Sequence, residues 1–401
     1  MKQTLAALAA MTLSLPALHA QAAKPFNMYF IDTEGGLSTL YVSPSGESML
    51  LDTGNPGERD LNRVLDVLKD ADVKQIDYMV ITHYHVDHVG SYKALSEKIP
   101  MKHFIDHGED RDTREQVPGF YAWYTEMTQK AGPGARMIAK PGDKIPIKGL
   151  NVEVLTADGK VLKKPIAGAP GAGKPNPACA DYKQQAPNSD LDNAASLSVV
   201  IQYGKFRTIN MGDFVYNEEG DLMCPNNPVG TIDLYETAHH GTDQSGSAAL
   251  VHALAPRVAV MQNGQRKGGA VPVYKVLYSS PGLEDLWQLH YAVGAGPEYN
   301  APGIFIANIE DPVALGNYLA NPAPARVAGG GRGFSGGGRG PGGGSGRGFG
   351  GGGFGGGRGG GPIAPHNSGP AYYIKVSAMP DGSFTVTNTR NNFSKTYAAK
   401  K

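Results

Sequence analysis

From Phe26 onward, short apolar runs alternate with turn residues: 27–31, 38–42 and 48–51, the last closed by Asp52-Thr53-Gly54. Runs of this length are the pattern of strands joined by tight connections. A helix-period segment follows, with Leu61, Val64, Leu65 and Leu68 on one face, and then a strand over 78–82. Further strands are expected at 102–105, 151–155, 197–203, 206–210, 234–237 and 258–262. Strands alternating with helices in this way predict a layered α/β core rather than an all-β sandwich. Residues 160–190, rich in Pro, Gly, Ala and Asn, read as a long surface loop between two core strands.

The pattern breaks at 326–362, where much of the chain's glycine is gathered, interspersed with Arg332, Arg339, Arg347, Arg358, Phe334, Phe349 and Phe354. Such a tract cannot bury enough apolar surface to offset its ordering entropy, so disorder is expected there. It resembles Arg-Gly-Gly segments that bind RNA elsewhere, but in an exported chain a flexible tether is the simpler reading. Strand patterning resumes at Tyr372, Tyr373, Ile374 and Val376, turns at Pro380-Asp381-Gly382, and continues through Phe384, Val386 and Asn388. A hairpin over 370–397 is too small to fold alone and must return to the core. The expectation is therefore one domain over 23–401, with the glycine tract as an insertion.

The N-terminus changes the picture of where the chain works. Met1 and Lys2 precede an apolar stretch over about 5–18, and Ala20-Gln21-Ala22 offers small residues for cleavage. This predicts a signal peptide over 1–22 and a periplasmic or secreted product with no stable membrane insertion after cleavage. In an oxidising compartment Cys179 and Cys224, the only cysteines, can pair. With 37 basic and 37 acidic residues, nothing in the balance steers the protein toward nucleic acid. The expected partner is a small-molecule or phosphodiester substrate.

The chemistry is concentrated in Ile81-Thr82-His83-Tyr84-His85-Val86-Asp87-His88-Val89-Gly90. At a strand end, residues two apart share a face, so His83 and His85 can ligate one ion. Where the chain turns into a helix, Asp87 and His88 can reach a second. Three imidazoles and a carboxylate suit zinc, with manganese or iron as alternatives.

The run His83, His85, Asp87, His88 resembles the HxHxDH signature of the metallo-β-lactamase superfamily. Ile209-Asn210-Met211-Gly212-Asp213 resembles the strand end that carries the family's metal-bridging aspartate. Glu236-Thr237-Ala238-His239-His240-Gly241 resembles the one that carries its last histidine ligand. Asp52 resembles the early aspartate that supports the ligand loop. As a set, over about 26–262, these motifs look most like the hydrolase domain of DNA-internalisation competence proteins and its free-standing relatives.

The resemblance implies a four-layered αββα sandwich and two divalent metal ions. His83, His85, Asp87, His88, Asp213 and His239 would be ligands, and Asp87 and His240 catalytic, with His240 free to donate a proton or orient substrate. It implies a hydroxide held by the two ions that attacks phosphorus or a carbonyl carbon. A phosphodiester or related ester is the expected substrate. A lactone, thioester or β-lactam hydrolase, and a binding module with a degenerate site, are the alternatives.

One departure stands out. Many family members place a third histidine for the first ion where this chain reads Asp190-Leu191-Asp192-Asn193-Ala194. Asp192, Asn193 or a water is the expected substitute. His103, Asp106 and His107 fall at another strand end and are secondary candidates for the rim. The aromatic run Tyr121, Trp123, Tyr124, Met127 reads as core, and Trp287, His290 and Tyr291 are candidates to close over the site.

Overall fold

The computed structural model describes residues 23–112, 114, 116–187, 189–309 and 371–400. The expected signal peptide at 1–22 and the glycine tract at 326–362 lie outside these residues.

Two large mixed sheets face one another. In the first, the order across the sheet is Phe393–Tyr397, Phe384–Asn388, Ile374–Ala378, Phe26–Phe30, Thr39–Val42, Ser48–Leu51, Ile76–Val80, Met101–Asp106 and Arg136–Ile138. In the second it is Ile306–Asn308, Asp285–His290, Val258–Met261, Leu234–Glu236, Phe206–Asn210, Ser198–Tyr203, Asn151–Ala157 and Lys144–Ile145, with Lys160–Val161 pairing beside Asn151–Ala157.

The period-two pattern explains the layers. Met28 and Phe30 point between the sheets into a core shared with Val154, Val199, Ile201, Val260 and Trp287. Their neighbours Tyr29 and Ile31 point the other way, onto Leu61, Val64, Leu68, Tyr92 and Tyr124 of the helices covering the first sheet. On the far side, Val200, Ile209 and Tyr235 of the second sheet meet Leu250, Leu254, Tyr274 and Leu277 of the helices Ala248–Leu254 and Val271–Tyr278. Helix, sheet, sheet, helix is the four-layered sandwich that the sequence leads one to expect.

The C-terminal segment returns to the core, as its size requires, but brings three strands rather than a hairpin. Ile374–Ala378 pairs antiparallel with Phe26–Phe30, placing Val376 opposite Met28. The third strand, Phe393–Tyr397, was hidden from the sequence reading by its polar residues Ser394, Lys395 and Thr396 on a sheet edge. Residues 160–190 form a loop with two short pairings, pinned by a disulfide between Cys179 and Cys224.

Several strands that run parallel end on one edge of the sandwich: Ile76–Val80 and Met101–Asp106 in one sheet, and Phe206–Asn210, Leu234–Glu236 and Val258–Met261 in the other. Carboxyl ends of parallel strands are where open α/β sheets place their ligand sites. The histidine run, Asp213 and the histidine pair each follow one of these ends.

Candidate metal centre

Asp213 organises the site. It is 2% exposed on the loop after Phe206–Asn210, and its two carboxylate oxygens face different sets of imidazoles. Oδ1 lies 3.3 Å from His88 Nε2 and 3.3 Å from His240 Nε2. Oδ2 lies 3.3 Å from His239 Nε2 and 3.9 Å from His83 Nε2. Asp87 closes the first set, with its Oδ2 3.6 Å from His88 Nε2 and 3.3 Å from His240 Nε2. Asp87, His88, Asp213 and His240 each offer a ligand atom within 4.8 Å of the others.

The histidine pair divides between the two oxygens of Asp213 differently from the expectation. His240, expected as the free proton donor, stands with Asp87 and His88, and His239, expected there as ligand, faces the other oxygen of Asp213. The backbone is the reason. Both residues are left-handed, with φ of 52° and 56°, so the chain turns sharply after Leu234–Glu236 and presents consecutive side chains to one carboxylate. A run of two non-glycine residues in that region is strained, and sequence gives no sign of it.

The donor set fits divalent cations. His83 Nε2, His88 Nε2, His240 Nε2 and Asp213 Oδ1 are buried and have no hydrogen-bond partner. Buried polar atoms are nearly always paired, so a cluster of unpaired lone pairs around a carboxylate is the arrangement a cation satisfies. His88 is prepared for this. Its Nδ1 bonds to Asp52 Oδ2 at 2.7 Å, which leaves Nε2 as the ring atom facing Asp213. Asp52 is fixed in turn by the Thr82 amide at 2.9 Å and the Thr82 hydroxyl at 2.5 Å.

Electrostatics follow from burial and crowding. Burial would raise the Asp213 carboxyl, but His239, His240 and His88 outweigh it and hold it well below the usual range. Asp87 is likewise held low, against burial, by Lys267, His88 and His240. Burial, helped by His88 and His85, keeps His83 neutral. His239 is pushed down to about 4, chiefly by burial. Neutral His83 and His239 and ionised Asp87 and Asp213 are in the protonation states that bind metal, whereas Asp213, Asp87 and Asp52 hold His88 well above its usual range despite burial.

Other sequence candidates lie elsewhere. His85 turns to an acidic loop, its Nε2 3.1 Å from Asp190 Oδ1 and 3.2 Å from Arg114 Nη2, although its ring stays 4.5 Å from that of His83. Asp192, an expected substitute, lies outside the cluster of close ligand atoms: its carboxylate accepts the amides of Tyr84 at 2.6 Å and Arg111 at 2.9 Å, and sits 3.5 Å from His107. Asn193 keeps a buried, unpartnered Oδ1.

Asp106 is no rim residue either. It holds Arg136 through two bonds at 2.7 and 2.8 Å and accepts from Tyr124. His103 stacks on Tyr78. His290 is buried against Asp32 at 2.7 Å, beside Arg63 and Glu34, and does not close over the site.

Lys267 went unnoticed in the sequence. It lies in Gly264-Gln265-Arg266-Lys267-Gly268-Gly269, after Val258–Met261, and its Nζ contacts Asp87 Oδ2 while the side chain remains 42% exposed. Its loop is fastened to the histidine turn by the Gly269 amide, which donates to His240 O at 3.3 Å. A basic pair in a glycine-rich loop at a strand's carboxyl end was the available signal.

Residues 31–173 match the family model of the Metallo-beta-lactamase superfamily. The chain is 31% identical over 110 residues to the Beta-lactamase-like protein 2 homolog of Caenorhabditis elegans, covering 27% of this chain and 37% of that protein. It is 21% identical over 263 residues to Recombination protein 2 of Haemophilus influenzae, covering 65% of this chain and 27% of that protein. The chain thus spans well under half the length of these curated relatives. Among solved structures it is similar to the metallo-beta-lactamase fold protein YhfI from Bacillus subtilis, with a TM-score of 0.39, 13% identity, and 66% of this chain and 96% of that chain covered. The matched segment holds His83, His85, Asp87 and His88, whereas Asp213, His239 and His240 lie beyond it and are delivered by the second sheet. Residues 31–173 thus resemble the metallo-β-lactamase superfamily, and the four-layered sandwich has the metallo-β-lactamase fold.

Proposed function

We propose that the protein is a metal-dependent hydrolase that cleaves a phosphodiester or related anionic ester, acting after export. The observation that carries this reading is the cluster of buried, unpartnered ligand atoms around Asp213 with two side-chain cations, Lys267 and Arg114, reaching the same ligand loop. His83, His88, His240, Asp87 and Asp213 would hold divalent cations, which when bound supply Lewis-acid activation of water and neutralise charge at the attacked group.

The chain's own residues do the rest. The Lys267 ammonium, on an exposed stem, offers a charge-assisted bond to an anionic group of the substrate. Arg114, 58% exposed, borders a cavity of about 370 Å³ lined also by Arg111, Asp190 and Gln244, which adjoins His85 through Asp190 and is of small-molecule size. Asp52 and Thr82 keep His88 in one tautomer throughout. Export is supported by the signal-like residues 1–22 and by the disulfide, a bond that persists in oxidising compartments. No helix among the described residues is long and apolar enough to cross a membrane.

The test is metal analysis of purified protein together with chromogenic phosphodiester, phosphomonoester, lactone and β-lactam substrates. Chelator-sensitive cleavage of the diester above the others is the expected outcome. Preference for a lactone or β-lactam would move the reaction to carbonyl carbon, and metal binding without turnover of any class would leave a binding module.

A further inference from the structure

The first ion of the family pattern lacks its third histidine in this sequence, and Asp192 is engaged elsewhere. The structure nevertheless places an imidazole at the matching oxygen of Asp213. His239 Nε2 lies 3.3 Å from Asp213 Oδ2, the oxygen that His83 Nε2 approaches at 3.9 Å. His240 serves Oδ1.

Hydrogen bonding fixes what His239 can do. The Ser245 hydroxyl donates its single proton to Phe214 O at 2.7 Å. At 3.2 Å from His239 Nδ1 it can therefore only accept, so the ring proton sits on Nδ1 and Nε2 carries a bare lone pair. A neutral histidine so arranged cannot donate toward Asp213, and two lone-pair-bearing atoms at 3.3 Å repel unless a cation lies between or beside them. Asp52 imposes the same tautomer on His88. Left-handed conformations at both His239 and His240, strained for non-glycine residues, are what bring the two rings to one carboxylate.

We propose that His239 replaces the missing histidine, so that the consecutive pair in Ala238-His239-His240-Gly241 serves two different ions. His239 would join His83 and Asp213 Oδ2; His240 would join Asp87, His88 and Asp213 Oδ1. Ser245 orients His239 as Asp52 orients His88. This rests on the reading of the site as a metal centre, not on any substrate.

The experiment is zinc titration of the full chain, stripped by chelator, in competition with a chromophoric chelator, so that stoichiometry and affinity are read without turnover. His239→Asn keeps a residue that tolerates the left-handed backbone and should weaken one of two equivalents by about 100-fold or more. Ser245→Ala leaves that backbone alone and should weaken the same equivalent about 10- to 100-fold. His240→Asn should weaken the other. Two equivalents of unchanged affinity in both His239→Asn and Ser245→Ala would overturn the assignment while leaving a metal centre in place, as would His239→Asn and His240→Asn weakening one and the same equivalent. A wild-type chain that binds no zinc would overturn it together with the metal reading.

Discussion

Asp52 shows how much of the candidate metal centre resides in residues outside its ligand set. Its carboxylate, fully buried, holds His88 Nδ1 and both polar groups of Thr82. Asp52→Asn would keep the fold, because asparagine tolerates the φ of 56° found there, but would loosen the His88 tautomer. Metal affinity at the position held by His88 should fall 10- to 100-fold, measured by chelator competition; wild-type affinity in the variant would reject the role. Lys267 makes a different demand. Lys267→Met should raise KM for an anionic diester about tenfold, equivalent to about 1.4 kcal/mol, with kcat/KM for a neutral ester unchanged. Equal losses on both substrates would assign Lys267 to the ligand loop's structure instead. That Asp87 and His88 should meet Asp213 was legible from the HxHxDH run and from the family resemblance that pointed to Asp213, and the structure brings the three together. Which histidine of the pair stands with Asp87 was not legible, because two successive left-handed residues set which ring faces which oxygen.

Among the elements, those built on alternating apolar residues were legible almost to the residue, as at 48–51 and 206–210. The strand Asp285–His290 was not, since Gln288 and His290 are polar at buried positions. Each is made tolerable by a partner remote in sequence, Gln288 by Tyr274 and the Ala301 amide, His290 by Asp32. Glu236 is a further such position, at the end of Leu234–Glu236. It accepts from Thr39 at 2.7 Å and Tyr41 at 3.1 Å of one sheet, and from Asn210 at 2.7 Å and Gln262 of the other. Burial nonetheless pushes its carboxyl up to about 7. A carboxyl raised on folding favours the folded state most when protonated in both states. Its contribution is therefore full below its unfolded value near 4.5 and is lost as pH climbs through about 7. Between pH 5 and pH 8 this amounts to about 2 kcal/mol. Urea unfolding of chelated protein at the two pH values should show Glu236→Gln losing less stability than wild type by that order; identical losses would rule Glu236 out as the source.

At the scale of the whole molecule, the sandwich is closed by strands from both ends of the sequence, with the glycine-rich tract between them. The two described ends that flank this tract are joined to each other. Asn308 Nδ2 donates to Tyr372 O at 2.8 Å, and the Tyr372 amide donates to Asn308 Oδ1 at 2.9 Å. Arg390 adds bonds to Gly303 O and Ile306 O, so described residues alone fasten the last strand of the second sheet to the C-terminal strands of the first. The candidate ligands His83, Asp87, His88, Asp213, His239 and His240 are all supplied by residues before Ile306–Asn308. Deleting 327–361 and closing the chain with a short flexible linker should accordingly leave the core intact. Shortening the connection about twofold changes the loop-closure term by only about 0.6 kcal/mol, and in the stabilising direction. Thermal unfolding should therefore match wild type or rise slightly, and kcat/KM should stay within about tenfold. A larger loss of kcat/KM at unchanged Tm would assign the tract to substrate capture, for which its arginines supply the charge. A fall in Tm would mean that it packs on the core despite its composition.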